Sequence, residues 1–178
     1  MADEGRRLYD NMYAIGESIV LRRQLARRES IAKWQKRWNE AQTGRWTYRI
    51  IPHIRRWMER NHGELSYELT QFLSGHGGYR AYLYRFGHDE SPWCPRCGNV
   101  AGNVEHVVFE CPRFTAHRTR LEAIADRRLT PGNIVEFMLE STEAWNQVVI
   151  ELKMIHEQLR HEELRRKQER ERTIMRRS

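Results

Sequence analysis

The chain has 178 residues, with 31 Lys and Arg against 24 Asp and Glu, three cysteines, and a formal net charge of +7. That length suits one domain with an appended arm, and the basic balance favours partners with phosphate backbones. It leaves acidic proteins and membrane surfaces open as partners. No apolar run approaches the ~20 residues of a membrane span, and MADEGRRLYD lacks the apolar stretch of a secretory signal, so an intracellular protein is expected.

The charge is unevenly spread. Residues 1–60 hold 14 basic against 7 acidic side chains, residues 61–150 hold 8 against 11, and residues 151–178 hold 9 against 6. The pattern predicts a folded body between two basic arms. From Glu17 to Ala41 there is neither Pro nor Gly, and Ile19, Val20, Leu25, Ile31, Trp34 and Trp38 share one broad helical face. Arg22, Arg23, Arg27, Arg28, Lys33 and Arg37 surround it, so this basic amphipathic helix reads either as a solvated helix with a core stripe or as a nucleic-acid contact.

Thr43-Gly44 breaks that helix. The following Arg45-Trp46-Thr47-Tyr48-Arg49 mixes guanidinium and aromatic groups, which can hold phosphates and stack on unpaired bases, or can form an apolar connector with snorkelling arginines. Pro52 suits the first turn of a helix through Trp57 and Arg60, ended by His62-Gly63. A helix over Ser66–Ser74 is expected to bury Leu65, Leu69, Phe72 and Leu73, and Gly75, Gly77 and Gly78 form a tight junction. The next helix, Tyr79 to Phe86, presents Tyr79, Tyr82, Leu83 and Phe86 as a stripe read as core, with Gly87 as its terminator.

Beyond the cysteine-rich segment at 88–114, a helix continues through Arg118, Leu121 and Ile124. Thr130-Pro131 predicts a cap with proline at the first helical position, opening a helix through Ile134, Val135, Met138 and Leu139. Ser141 is the expected cap of a long helix carrying Trp145, Val148, Val149, Leu152, Ile155 and Leu159. After Leu159 the apolar face fades into RHEELRRKQERERTIMRR, read as a frayed, solvent-exposed helix. The expected divisions are a basic arm at 1–42, a helical subdomain at 43–87, the metal knuckle at 88–114, helices at 115–160 and a charged tail at 161–178. The fold class expected is mostly α, with an embedded Cys-Cys-His-Cys knuckle and a long C-terminal helix.

All three cysteines lie in CPRCGNVAGNVEHVVFEC, spaced Cys94-x2-Cys97-x8-His106-x4-Cys111. Three thiolates and an imidazole are a common tetrahedral zinc set, and three cysteines in a reducing compartment cannot all pair as disulfides. Pro95 and Gly98 suit the turn that lets two cysteines grip one ion, and Pro112 redirects the chain beyond it. His88 and His117 are alternatives to His106 at poorer spacing. Four protein ligands leave no open coordination position, so Cys94, Cys97, His106 and Cys111 are expected to form a structural site for Zn2+, worth on the order of 10 kcal/mol to folding.

Catalytic signatures are absent from the sequence: no Walker-type phosphate loop, no HExxH pair, no polymerase aspartate pair and no Gly-x-Ser-x-Gly elbow. Glu105 precedes His106, whereas zinc deaminases need their glutamate after the histidine and a free zinc position. The chain is therefore expected not to be an enzyme.

The run GRWTYRIIPHIRRWMERNHGELSYELTQFLSGHGGYRAYLYRFGHDESPWCPRCG, continuing to EHVVFECPRF, resembles the C-terminal region of non-LTR retrotransposon reverse-transcriptase polyproteins of the jockey and ribosomal-DNA-inserting types. The likeness covers about residues 30–150 and is carried by GRWTYR with its downstream proline, LTQFLSGHG, YLYRFGH, the cysteine–histidine spacing and ESTEAW. It departs at Gly78, where relatives commonly carry Cys; the four-ligand set is complete without that residue. The resemblance implies a post-polymerase segment whose metal ligands are Cys94, Cys97, His106 and Cys111. It further implies that the segment grips RNA or target DNA while the parent enzyme nicks DNA and copies its RNA at the nick.

The contacts expected on that basis are Arg45, Arg49, Arg55 and Arg56 for phosphates and Trp46 and Tyr48 for bases, with the arginine-rich helix secondary. RNA or DNA, and the parent's reverse-transcriptase domain, are the expected partners; no membrane is. The expected setting is the nucleus, with a cytoplasmic ribonucleoprotein stage. A zinc-stabilised protein-interaction module, surviving as a domesticated or defunct fragment, is the alternative.

Overall fold

A computed structural model describes residues 2–176, and the side chains of residues 18–176. Met1, Arg177 and Ser178, at the ends of the two expected arms, lie outside the described residues. Helices run α1 Ala2–Glu40, α2 Arg45–Ile50, α3 Ile54–Met58, α4 Tyr67–Ser74, α5 Arg80–Arg85, α6 Thr115–Ala125, α7 Ile134–Met138 and α8 Thr142–Met175. The fold is mostly helical, and the sole extended pairing among the described residues is a single antiparallel bridge between Trp93 and Ala101.

Helix α8 is the spine. Helices α4, α6 and α7 all pack on it, α2 rests on α4, and α1 touches the body through α3. Trp145, Val148, Leu152, Ile155 and Leu159 recur at spacings of three and four along α8, and all five are buried. They meet Leu69, Phe72 and Leu73 of α4, Leu121 of α6 and Ile134, Val135, Phe137 and Met138 of α7 in one contiguous core. That core also takes in Cys94, Val104, Val107, Val108, Cys111 and Phe114, so the cysteine segment is part of the body.

Two serines start the helices that matter most. Ser66 Oγ accepts the N–H of Leu69 at 3.1 Å, and Ser141 Oγ accepts that of Ala144 at 3.0 Å, each satisfying a donor with no partner inside its helix. The expected Thr130-Pro131 start is displaced. Asn133 Oδ1 accepts the Thr130 N–H at 2.7 Å and its amide donates to the Arg128 carbonyl at 3.0 Å, holding a turn, so α7 begins only at Ile134. At Gly63 the backbone has φ +85, and an added Cβ would lie 2.2 Å from the Trp145 ring. Only glycine admits both the left-handed turn and that ring.

Helix α1 is longer than its pattern predicts, and most of its expected core face is not buried. Ile19, Val20, Leu25 and Trp34 are exposed, because only its last turns reach the body. There Ile31 is buried, Trp38 Nε1 donates to the Ile51 carbonyl at 2.8 Å, and Gln35 accepts the Ile54 N–H at 2.9 Å while donating to the Pro52 carbonyl at 2.8 Å. Leu65, expected in the core, is exposed just ahead of the Ser66 cap. The aromatic stripe of α5 grades from fully buried Tyr79 through half-buried Tyr82 to exposed Phe86, because the short helix ends before Phe86 can turn inward.

The tail also differs from its expected form. Helix α8 continues to Met175 and lies along the cysteine segment. Glu162 pairs with Arg113 at 2.5 Å, Arg166 with Asp89 at 3.1 Å, and Arg170 with Glu90 at 3.7 Å. Asp89, almost fully buried, is shared with Arg80 at 3.2 Å. A buried carboxylate held by two guanidiniums is costly to separate, so these contacts dock the tail against the body.

Candidate metal centre and flanking basic surface

The Cys94–Cys97 turn is built by backbone hydrogen bonds. Cys94 N–H donates to the Val100 carbonyl at 2.7 Å, Gly98 N–H to the Cys94 carbonyl at 2.9 Å, and Gly102 N–H to the Pro92 carbonyl at 2.8 Å. Gly98 has φ +75, which lets the chain reverse immediately after Cys97. Opposite this turn, residues His106–Glu110 form a π-helical turn, closed by the Cys111 N–H on the His106 carbonyl at 2.6 Å. In an α-helix, residues five apart point about 140° away from one another. Widening the turn brings His106 and Cys111 toward one side, a use of π-turns common at functional sites. Asn103 Oδ1 anchors the start by accepting the His106 N–H at 2.9 Å.

The ligating atoms of Cys94, Cys97, His106 and Cys111 all lie within 4.8 Å of one another. Cys94 Sγ and Cys111 Sγ are 3.8 Å apart, far beyond a disulfide bond of about 2.05 Å. The spacing matches two sulfurs bound tetrahedrally at about 2.3 Å, which sit about 3.8 Å apart. His106 Nε2 is buried with no hydrogen-bond partner, while Nδ1 lies 3.4 Å from Glu110 Oε2. A proton on Nδ1, directed at Glu110, leaves the Nε2 lone pair free for a cation, the arrangement that orients metal-binding histidines generally. The four residues therefore fit zinc, and the otherwise unsatisfied Nε2 is the atom that calls for it.

The thiols are not equivalent. Burial works against ionising Cys94, but the N–H groups of Cys97 and Arg96, with the Cys111 thiol, outweigh it and bring the thiol down to about 7. Burial and the nearby Cys94 charge push Cys111 up to about 11, with the Arg113 N–H opposing, and the same two causes raise Cys97. One thiolate is thus favoured without a cation, and the other two need a positive charge among them.

Neither alternative histidine approaches the cluster. His117 Nδ1 is 2.5 Å from Glu151 Oε2, and His88 is exposed beyond α5. Glu151 is buried and also receives Arg120 through two hydrogen bonds of 2.7 Å, which, against the cost of burial, hold its carboxyl below the usual range. Glu110 and the Asp89–Arg166 tie were not singled out by the sequence. Glu110 could have been, since it follows His106 by one helical repeat.

The expected nucleic-acid contacts fall on α2 and α3 and are spread among different roles. Trp46 packs edge-on against Phe72 at 6.0 Å, and its Nε1–H donates to the Phe72 carbonyl at 2.7 Å. That ring is half-buried and packs against the core. Tyr48 is half-buried under the Arg45 guanidinium, 3.9 Å from the ring centre. Arg49 pairs with Glu105 at 2.6 Å, Arg55 with Glu59 at 3.5 Å, and Arg56 with Glu136 at 2.9 Å. In each pair the arginine side chain is more than half exposed, so the ion pair adds little to stability.

Comparison with known proteins now bears on the same segment. Over 81 residues the chain is 33% identical to the Pol polyprotein of the type-1 retrotransposable element R1 of Bradysia coprophila, covering 46% of this chain and 8% of that protein. It is 33% identical over 113 residues to a Nasonia vitripennis R1 Pol polyprotein, covering 62% of this chain and 28% of the relative. A Popillia japonica R1 Pol polyprotein is 29% identical over 108 residues, covering 59% and 42%. The chain is related to R1-type retrotransposon Pol polyproteins. It spans less than half of each of these R1 relatives. No protein-family model matches the chain, and no solved structure does. Among its described residues no helix is long and apolar enough to cross a membrane.

Proposed function

We propose that the chain is a zinc-organised nucleic-acid-binding module of an R1-type retrotransposon polyprotein, acting without a catalytic centre of its own. The observation that carries this reading is the four-ligand cluster: a buried His106 Nε2 with no partner, facing three thiols at zinc spacing. A net charge of +7 and relatives that are all named as parts of R1 elements support it. Zinc, bound by Cys94, Cys97, His106 and Cys111, would tie the turn at 94–98 to the π-helical turn, supplying rigidity and no open position for chemistry. Arg45, Arg49, Arg55 and Arg56, with Trp46 and Tyr48, are the phosphate and base contacts on α2 and α3. In the parent polyprotein such a module would hold RNA or target DNA for the reverse-transcriptase domain during target-primed copying. A nuclear site of action follows from that role.

The test is retention of labelled single-stranded RNA and duplex DNA by the zinc-loaded protein across a salt series, beside a Cys94→Ser/Cys97→Ser variant. Binding that weakens steeply with salt, and weakens further in the variant, is the expected result. Absence of binding at low salt by the folded protein would overturn the reading.

One observation favours a second reading, a protein-interaction module. Ile19, Val20 and Trp34, within about 100° of one another around α1, are large apolar side chains left exposed. A protein partner retained equally at low and high salt, with no nucleic acid bound, would establish that alternative.

A further inference from the structure

The docked tail of α8 and the knuckle turn enclose a groove of about 360 Å3, with Pro95 and Arg96 on one wall and residues of α8 on the other. Four arginines face it: Arg96, Arg113, Arg165 and Arg166. Two are already engaged, Arg113 by Glu162 and Arg166 by Asp89. Arg96 and Arg165 are exposed and meet no acidic partner among the described residues. Arg113 is tied to Glu162 through Nη1 alone; its Nε is buried and has no hydrogen-bond partner. The one carboxylate in the groove not paired with a cation is that of Glu169.

Two exposed guanidiniums without acidic partners, Arg96 and Arg165, on facing walls of one groove are an arrangement that an anion with several acceptor oxygens would complete. Phosphate does so best, because arginine presents forked donors that match its oxygens. The Arg96 wall moves with the metal turn, lying between Cys94 and Cys97, and the Arg165 wall is carried by the helix that Asp89 and Arg113 hold in place. Neither wall alone makes the groove.

We infer that the groove between the knuckle turn and the later half of α8 is a phosphate-binding site for the backbone of single-stranded nucleic acid, with Arg96 and Arg165 as direct contacts. This rests on the nucleic-acid-binding reading above and adds to it a contact surface remote in sequence from α2 and α3. The charged tail thereby acquires a role: it supplies half of a site that the zinc turn completes.

The experiment uses the full zinc-loaded chain and a labelled 20-nucleotide single-stranded RNA, titrated at several salt concentrations. Arg96→Ala/Arg165→Ala is expected to weaken binding about tenfold and to lower the salt slope by about 1.4, two phosphates at about 0.7 each. Zinc content and helicity should be unchanged, since neither side chain holds the fold. Glu169→Gln is expected to strengthen binding, a change that loss of structure would not produce. Arg22→Ala/Arg23→Ala on α1 removes the same charge elsewhere and should cost less. Wild-type RNA binding that is unaffected by the groove substitutions, or affected equally by those on α1, overturns the site and leaves the general function standing. If the wild type binds no RNA the site fails, and if it binds no duplex DNA either the general reading fails with it. If inorganic phosphate alone protects Arg96 and Arg165 from guanidine-directed labelling while RNA affinity is insensitive to them, the groove is a small-anion site and the proposal is overturned.

Discussion

His156 provides a quantitative check on how α8 is held. Its ring is buried on α8, with Nε2 2.9 Å from the Tyr79 hydroxyl and the ring edge-on to Tyr79 at 5.2 Å. Burial disfavours the charged imidazolium and lowers its pKa from 6.5 to about 4, against a weaker opposing pull from Glu68. The unfolded chain takes up a proton near pH 6.5 that the folded chain refuses until about 4, so between those values the unfolded state binds more protons. Stability is therefore full above about pH 6.5 and is lost as pH falls toward 4. The whole effect is about 3 kcal/mol, of which about 2 kcal/mol falls between pH 7 and pH 5. Denaturant unfolding of wild type and His156→Gln at pH 7, 6 and 5 isolates the term, because acid acts on the metal ligands of both proteins alike. The variant should be less pH-sensitive by about 2 kcal/mol over that range. Equal pH dependence in the two proteins would refute a neutral, buried His156.

Other substitutions probe separate parts of the account. Gly63→Ala places a methyl group on Trp145 in a left-handed turn and should cost about 3 kcal/mol, read as a lowered denaturation midpoint with an unchanged m value. Glu151→Ala leaves His117 and the half-exposed Arg120 without their shared carboxylate and should cost about 1–3 kcal/mol, measured the same way. Cys111→Ser should abolish zinc retention and loosen both the 94–98 and 106–111 turns, seen as faster amide exchange at Val107, Val108 and Cys111 than in α7. Slow exchange there in metal-free protein would show that the core holds those turns without the ion.

How much the sequence reveals depends on how far apart the cooperating residues lie. The metal cluster is legible because its four ligands are local and their chemistry is distinctive: Cys94, Cys97, His106 and Cys111 recur in space as their spacing implies. The Ser141 cap is legible for the same reason, acting on an N–H three residues ahead. The π-helical turn is not, since nothing in EHVVFEC distinguishes it from one more turn of α-helix. Helix α1 shows the limit of periodicity: an apolar stripe says that a face can be covered, not that anything covers it. Trp46 and Arg49 are neighbours in an arginine-aromatic run, yet one reaches Phe72 and the other Glu105, contacts 26 and 56 residues away. The tail's partners Asp89 and Arg113 are 77 and 49 residues from Arg166 and Glu162, so a mixed-charge helix could only be read as solvated.

The claim on which the rest depends is that three thiols and one imidazole hold a single zinc ion. Native mass spectrometry of the reduced protein, with the Cys94→Ser/Cys97→Ser variant beside it, tests this most directly. The account predicts one zinc per chain in the wild type, removed by a strong chelator together with a marked loss of thermal stability, and none in the variant. A wild-type chain that stays metal-free in the presence of zinc, with all three thiols reduced and the fold intact, would contradict it.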